Sequence, residues 1–123
     1  MSMKKLISYL NQRGVTDNDY LEFVTNIDKT VIEIEPCELN NFEFMVSHFL
    51  NDSDSPGYGL IATNQILQTD RGEWLAIALI EGDDVVCMNT HTGAIHIWMV
   101  QTGDSEYIEV AKSFKRFINA CSA

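Results

Sequence analysis

WLAIALI (residues 74–80), VVCMNT (85–90) and AIHIWMV (94–100) are three apolar stretches separated only by the short polar segments EGDD and HTG. Apolar runs of this length, bounded by Gly, Asp and Asn, predict β-strands joined by tight turns. After a loop, VAKSFKRFIN (110–119) has apolar residues at the spacing of one helix face and predicts a closing helix. A strand meander with a terminal helix bound to it is most of a small α+β domain.

The third strand is apolar on both of its faces. One set is Ile95, Ile97 and Met99, and the other is Ala94, His96, Trp98 and Val100. A strand of this kind is central, so we expect helices against one face and loops or a partner against the other. The closing helix is expected to bury Val110, Phe114, Phe117, Ile118 and Cys121. Ser113 is its predicted N-cap, and a start near Ser105 is the alternative.

The first quarter of the chain has the pattern of two short helices. Residues 4–12 carry apolar residues on one helix face, and Gly14 suits the C-terminal end. Thr16 is the predicted N-cap of the second helix, with Asp19 three residues later in an imperfect capping box. An apolar stripe at helical spacing follows, formed by Tyr20, Phe23, Val24 and Ile27.

The middle of the chain mixes strand and helix patterns. KTVIEIEP (29–36) alternates acidic and apolar residues and predicts a half-buried strand near a sheet edge. Asn40 or Asn41 caps a predicted helix whose shared face is Phe44, Met45, His48 and Phe49. NDSDSPGYG (51–59) is a predicted loop, and residues 60–67 fit either a strand with a helical turn or one short helix.

Length and composition favour one soluble domain spanning residues 1–123. No apolar run approaches the roughly 20 residues needed to cross a bilayer, and the N-terminus lacks the apolar core of a signal peptide. The three cysteines, Cys37, Cys87 and Cys121, are scattered and without CxxC spacing, which favours reduced thiols in a cytoplasmic protein.

The formal charge of −10 is concentrated in the middle of the chain. Fourteen of the eighteen acidic residues lie from Glu33 to Glu109, where Arg71 is the only basic residue. Such a field disfavours direct binding to nucleic acid or to an anionic membrane, and it attracts a basic protein. Acidity for solubility alone is the simpler alternative.

Residues that could support catalysis or metal binding are few. Cys87 and His96 lie on adjacent predicted strands and could face each other, but packing explains such a pair better than nucleophilic catalysis. Cys87, His91 and His96 lack the paired spacing of a zinc site. Asp52 and Asp54 begin like a calcium loop, but Thr63 stands where a bidentate Glu is needed. No phosphate-binding motif is present, so the sequence predicts no catalytic residue, metal or cofactor.

Acidic surface residues are the better candidates for function. Glu81, Asp83 and Asp84 sit together at one predicted turn, and Asp52 and Asp54 lie in the long loop. The preference of Gly and Asp for tight turns is enough to explain the residues at the predicted turn. The functional alternative is that these carboxylates dock a basic partner. Trp74 and Trp98 are predicted to pack in the core rather than to serve as interface anchors.

The order of motifs in the last half of the chain resembles the SUKH superfamily of Smi–Knr-like domains. The matching residues are Gly82, Asp83, Asp84, Asn89, Thr92, Gly93, Trp98, Val110, Ala111, Ser113, Phe114 and Phe117. The resemblance covers residues 60–119, and the element Val-Ala-x-Ser-Phe-x-x-Phe is its most specific part. The N-terminal half departs from the family, since it has neither the Leu-Pro helix start nor the Asn-Gly-Gly that members usually carry.

The resemblance implies a single α+β domain with a sheet that is mixed or mostly antiparallel and with helices against one face. It also implies a non-enzymatic immunity protein of a polymorphic toxin system, which binds a toxin domain, often a nuclease, and blocks it. The alternatives are an interaction module in a regulatory assembly and a small hydrolase or metal enzyme using Cys87, His91 and His96.

Overall fold

Five antiparallel strands form the centre of the protein. The computed structural model describes residues 3–26, 37–39, 42–44, 46–67, 69, 73–80, 84–99 and 107–121. In chain order the elements are α1 (Met3–Gln12), α2 (Asn18–Thr25), β1 (Cys37–Leu39), β2 (Phe42–Phe44), β3 (Val46–Phe49), α3 (Leu60–Leu67), β4 (Trp74–Ile80), β5 (Val85–Asn89), β6 (Ile95–Trp98), β7 (Tyr107–Ala111) and α4 (Phe114–Cys121). The fold is α+β, as the sequence predicts.

The main sheet has the order β3-β4-β5-β6-β7, and every neighbouring pair is antiparallel. The predicted meander of β4, β5 and β6 is therefore confirmed. The described part of the chain also contains a separate hairpin of β1 and β2, which lies against α4. The strand predicted at residues 29–36 lies outside the described residues.

The helix predicted around Phe44 to Phe49 is wrong, because residues 46–49 form the edge strand β3. Phe44 lies in β2. In β3, Phe49 pairs with Ala78, and its ring packs 4.7 Å from that of Phe23. His48 points to the opposite face, so the apolar spacing that fits a helix also fits a strand whose two faces are both used.

Val110 is a second correction, since it belongs to β7 and not to the closing helix. Pairing of β7 with β6 keeps residues 107–111 extended, and the helix starts only at Phe114. The predicted N-cap is confirmed: the Ser113 hydroxyl accepts a hydrogen bond from the Arg116 amide at 3.2 Å.

The helix starts and ends follow side-chain chemistry. α1 ends ahead of Gly14, whose φ of 81° requires a residue without a Cβ. The N-cap of α2 is Asp17 and not Thr16, because the Asp17 carboxylate accepts from the Tyr20 amide at 3.1 Å. The ambiguous segment 60–67 is a helix, α3, and residues 51–59 form the predicted loop.

The helix-covered face of the sheet holds the larger part of the core. Ile95 and Ile97 are fully buried there, and the rings of Tyr20, Phe114 and Phe117 pack above the sheet. Tyr20 meets Phe114 edge to face at 5.1 Å. Helices α2 and α4 therefore lie on one face, in agreement with the predicted fold. No described helix is long and apolar enough to span a bilayer.

Candidate functional site

The loop 51–59 holds two of the predicted partner-binding residues, Asp52 and Asp54. The loop is closed by hydrogen bonds from the Asn51 amide to the Tyr58 carbonyl at 2.9 Å and from the Leu60 amide to the Asn51 carbonyl at 2.8 Å. Asp52 is only 6% exposed, whereas Asp54 is exposed. Of this pair, Asp54 is the carboxylate that a partner can reach directly.

The second predicted group lies at the β4–β5 turn. Asp84 is half-buried, and its carbonyl accepts from the Ile80 amide at 3.0 Å, which closes the hairpin. Glu81 and Asp83 lie outside the described residues. Asp84 lies beside Ile80, which pairs with Val46 at the start of β3. The loop 51–59 follows the other end of β3, so the length of this strand separates the loop from Asp84. The structure does not bring Asp84 together with Asp52 and Asp54.

The β5–β6 turn is held by its own side chains. The Asn89 amide oxygen accepts from the amides of His91 at 2.9 Å and Thr92 at 3.1 Å, and the Thr92 hydroxyl accepts from Ala94 at 3.2 Å. Gly93 has a φ of 77°, which other residues adopt only with strain. Asn89, Thr92 and Gly93 thus fix the backbone of this turn, which explains their place in the sequence pattern.

A cleft of about 200 Å³ lies between this turn and the connection from α1 to α2. Its lining residues are Val15, Thr16, Asp17, Met88, Thr90, His91, Thr92 and Gly93. The two buried members, Val15 and Met88, are apolar, and the exposed members, Thr16, His91 and Thr92, are polar. The cleft therefore has a small apolar floor under a lining that is mostly polar.

Asp17 contributes the negative charge of this cleft. Its Oδ1 caps α2 by accepting a hydrogen bond from the Tyr20 amide. Its Oδ2 faces the β5–β6 turn and would lie 3.8 Å from a Cβ atom placed on Gly93. Among the described residues, no hydrogen bond or ion pair to Oδ2 occurs, and no lysine or arginine lines the cleft. Sequence analysis missed this residue because it assigned the cap to Thr16.

The face of the sheet opposite α2 and α4 carries a second aromatic cluster. Trp74 stacks on Tyr107 with ring centroids 4.0 Å apart, and Trp98 stacks on Tyr107 at 5.6 Å. The ring of His96 meets that of Trp74 edge to face at 4.7 Å. Both tryptophans are half-buried: they pack against the core and keep part of their surface exposed.

The predicted Cys87–His96 pair exists as neighbours, since the two residues are direct partners across β5 and β6. Cys87 is fully buried, and burial raises the pKa of its thiol. A neutral, enclosed thiol is a poor nucleophile, so the arrangement favours packing over catalysis. His91 sits on the exposed turn, and within the described residues no three His, Cys, Asp or Glu side chains are grouped to hold a metal ion.

The SUKH-like sequence pattern coincides with three features of the structure. These are the meander, the turn at residues 89–93 and the helix capped by Ser113. A scan against protein-family models matches residues 14–120 to the SMI1 / KNR4 family (SUKH-1). The chain belongs to this family. The match extends well beyond the C-terminal half and includes both walls of the cleft. SUKH domains are commonly immunity-protein-like. Comparison with curated proteins and with solved structures gave no significant match.

Proposed function

We propose that this SUKH-1 domain is an immunity protein that binds a cognate toxin domain of a polymorphic toxin system and neutralises it. The observation that carries the proposal is the family match over residues 14–120. The proposed action is binding without catalysis. The buried, protonated Cys87 and the separate placement of His91 both favour it, because neither residue is set up as a reaction centre.

The charge of the chain supports a basic toxin, with a nuclease domain as the first candidate. Nuclease surfaces that hold phosphate are basic, and a net charge of −10 attracts them and speeds the encounter. The inhibitor then occupies the surface that nucleic acid would use, so it needs no direct contact with nucleic acid itself. We place this action in the cytoplasm, in keeping with the scattered cysteines, which lack CxxC spacing in the sequence.

The experiment is capture of partners from source-cell lysate at low salt, followed by expression of each captured protein in a naive host. The proposal expects a basic protein that arrests growth when expressed alone and is harmless when co-expressed with this chain. A captured protein that is harmless by itself, or one whose toxicity this chain does not relieve, would overturn it.

A role as an interaction module in a regulatory assembly is the second candidate. The half-buried aromatic cluster of Trp74, Trp98 and Tyr107 favours it, because large aromatic side chains are enriched in stable protein interfaces. Capture that resists high salt and brings down a non-toxic assembly would support this second function, since apolar contacts are not screened.

A further inference from the structure

We propose that the cleft between residues 15–17 and 88–93 receives a single arginine or lysine side chain of a basic protein partner, with Asp17 Oδ2 as its counter-charge. The inference rests on the proposed function, because the partner in question is the toxin. It assigns that partner a specific contact, away from the acidic residues at the β4–β5 turn and in the loop 51–59.

The size of the cleft selects a side chain over a whole metabolite. Pockets for cofactors and drug-sized ligands measure roughly 300–1,000 Å³. The volume here is about 200 Å³, which is below that range. A ligand that enters only with one projecting group, as a protein side chain does, fits this space.

The chemistry of the lining selects a long cationic side chain. Lysine and arginine combine an aliphatic stem with a charged end, and they bury the stem against apolar surface. Val15 and Met88, both almost fully buried, form the small apolar floor of the cleft, and Asp17 supplies a carboxylate oxygen on its wall. Thr90 and Thr92 belong to the same lining, and a threonine hydroxyl can accept a hydrogen bond from the charged end.

An anion is disfavoured, although a helix N-terminus borders the cleft. Exposed N-termini of helices attract anions through unpaired amides and the helix dipole. At α2 that position is already taken by the Asp17 carboxylate, whose Oδ1 accepts from the Tyr20 amide. A second negative group would meet Oδ2, so the cleft favours positive charge.

The proposal is tested by NMR titration of the full chain with N-acetyl-arginine amide. The matched neutral probe is N-acetyl-citrulline amide, which has nearly the same shape without the charge. We expect the arginine probe to shift the amides of residues 15–17 and 90–93 in a saturable way, and the citrulline probe to leave them in place. Absence of these shifts, shifts spread over all acidic sites, or equal shifts with both probes would overturn the proposal.

Two substitutions that remove the same charge separate the cleft from general acidity. Asp17→Asn keeps an N-cap oxygen, so α2 remains capped, but it removes the counter-charge. The control is Asp19→Asn, because Asp19 lies in the first turn of α2, is exposed and does not line the cleft. We expect Asp17→Asn to weaken probe binding about fivefold, the upper range for a partly exposed ion pair, and Asp19→Asn to leave it unchanged. Equal affinity of the two variants would overturn the assignment.

The same variants distinguish this inference from the proposed function. If a captured toxin binds wild type and Asp17→Asn with equal affinity, the immunity function stands and the cleft assignment fails. If the arginine probe binds the cleft while growth tests identify no toxin, the cation site stands and the immunity function fails.

Discussion

The side chain of Asn64 takes the place of a neighbouring strand at the edge of β4. Its Nδ2 donates to the Ala76 carbonyl at 3.0 Å, and its Oδ1 accepts from the Ala76 amide at 2.8 Å. Asn64 is fully buried and also accepts from the Thr69 hydroxyl at 2.7 Å. β3 ends before this point, so a helix side chain satisfies backbone groups that a strand would otherwise pair.

Replacing Asn64 with leucine is expected to destabilise the protein by about 3 kcal/mol. Leucine has a similar volume but leaves the Ala76 amide and the Ala76 carbonyl without their partner, and each buried unsatisfied group costs roughly 1–3 kcal/mol. The Thr69 hydroxyl keeps the backbone carbonyl of residue 64 as an acceptor at 3.4 Å. The change is measured as the free energy of unfolding in urea. The control is Gln65→Ala on the exposed side of α3, expected within about 0.5 kcal/mol of wild type. Equal costs for both variants would contradict the bridging role.

The stacked pair Trp74 and Tyr107 is expected to show an interaction energy of about 1 kcal/mol, because parallel rings in contact stabilise each other beyond the area they bury. The measurement is a double-mutant cycle with Trp74→Leu, Tyr107→Leu and the double variant. A parallel cycle with Trp74→Leu and Phe117→Leu serves as reference, since Phe117 packs among the aromatic rings on the helix-covered face. There the two effects should add within about 0.5 kcal/mol.

Tyr20→Phe is expected to leave stability unchanged or to raise it by about 1 kcal/mol at pH 7. The Tyr20 hydroxyl is buried, and no described residue hydrogen-bonds to it, so its removal relieves a desolvation cost. The ring contact with Phe114 is kept. Tyr9→Phe is the opposite case, because the Tyr9 hydroxyl accepts from Arg13 at 2.8 Å, and it should lose stability.

Alkaline pH gives Tyr20 a second test. Burial raises its pKa above the ordinary value of 10.0. Above pH 10 the unfolded state therefore loses the proton while the folded state keeps it, and wild type loses stability as the pH rises. Urea titrations at pH 8 and pH 10.5 should show a smaller loss for Tyr20→Phe than for wild type. An identical loss would mean that Tyr20 ionises equally in both states.

Cys87 is expected to resist thiol reagents in the folded protein. Its side chain is fully buried and burial raises its pKa, so little reactive thiolate forms even at pH 8. In a variant with Cys37→Ser and Cys121→Ser, reaction with an aromatic disulfide reagent should be about a thousandfold slower than in urea, since it requires opening of the core. Rapid reaction without urea would contradict the full burial of this thiol in the folded protein.

Charge reversal at the β4–β5 turn tests the acidic surface. Asp83→Lys combined with Asp84→Lys should slow association with a captured basic partner severalfold at low salt, because long-range attraction steers the encounter. Stopped-flow fluorescence measures the rate, and circular dichroism checks that the fold is intact. The difference should shrink as salt rises. An association rate equal to that of wild type at low salt would exclude this turn from the docking surface.

Local chemistry made the meander and its closing helix predictable. The turns at Asp84 and at Asn89–Gly93 carry residues that favour only a few backbone conformations, and Ser113 is a strong helix start. The sequence pattern misassigns residues 46–49, because their apolar spacing fits both a helix and a strand, and only pairing with β4 decides between them.

The cleft could not be predicted from sequence, since its two walls are distant in the chain and meet only in the fold. The sequence carries a partial signal for the role of Asp17 as the N-cap of α2, because threonine and aspartate are both good cap residues. The choice between them depends on which side chain can reach the Tyr20 amide. The burial of Asp52 is likewise a tertiary effect of a loop that closes on itself.

The internally bonded β5–β6 turn has a consequence for how this protein can change over time. Asn89, Thr92 and Gly93 hold its backbone, whereas the His91 side chain is exposed on the rim of the cleft. Substitutions at position 91 can therefore alter the rim of the cleft without disturbing the hydrogen bonds that shape the turn. Under the proposed function, position 91 is a place where specificity for a toxin can diverge at little cost to folding.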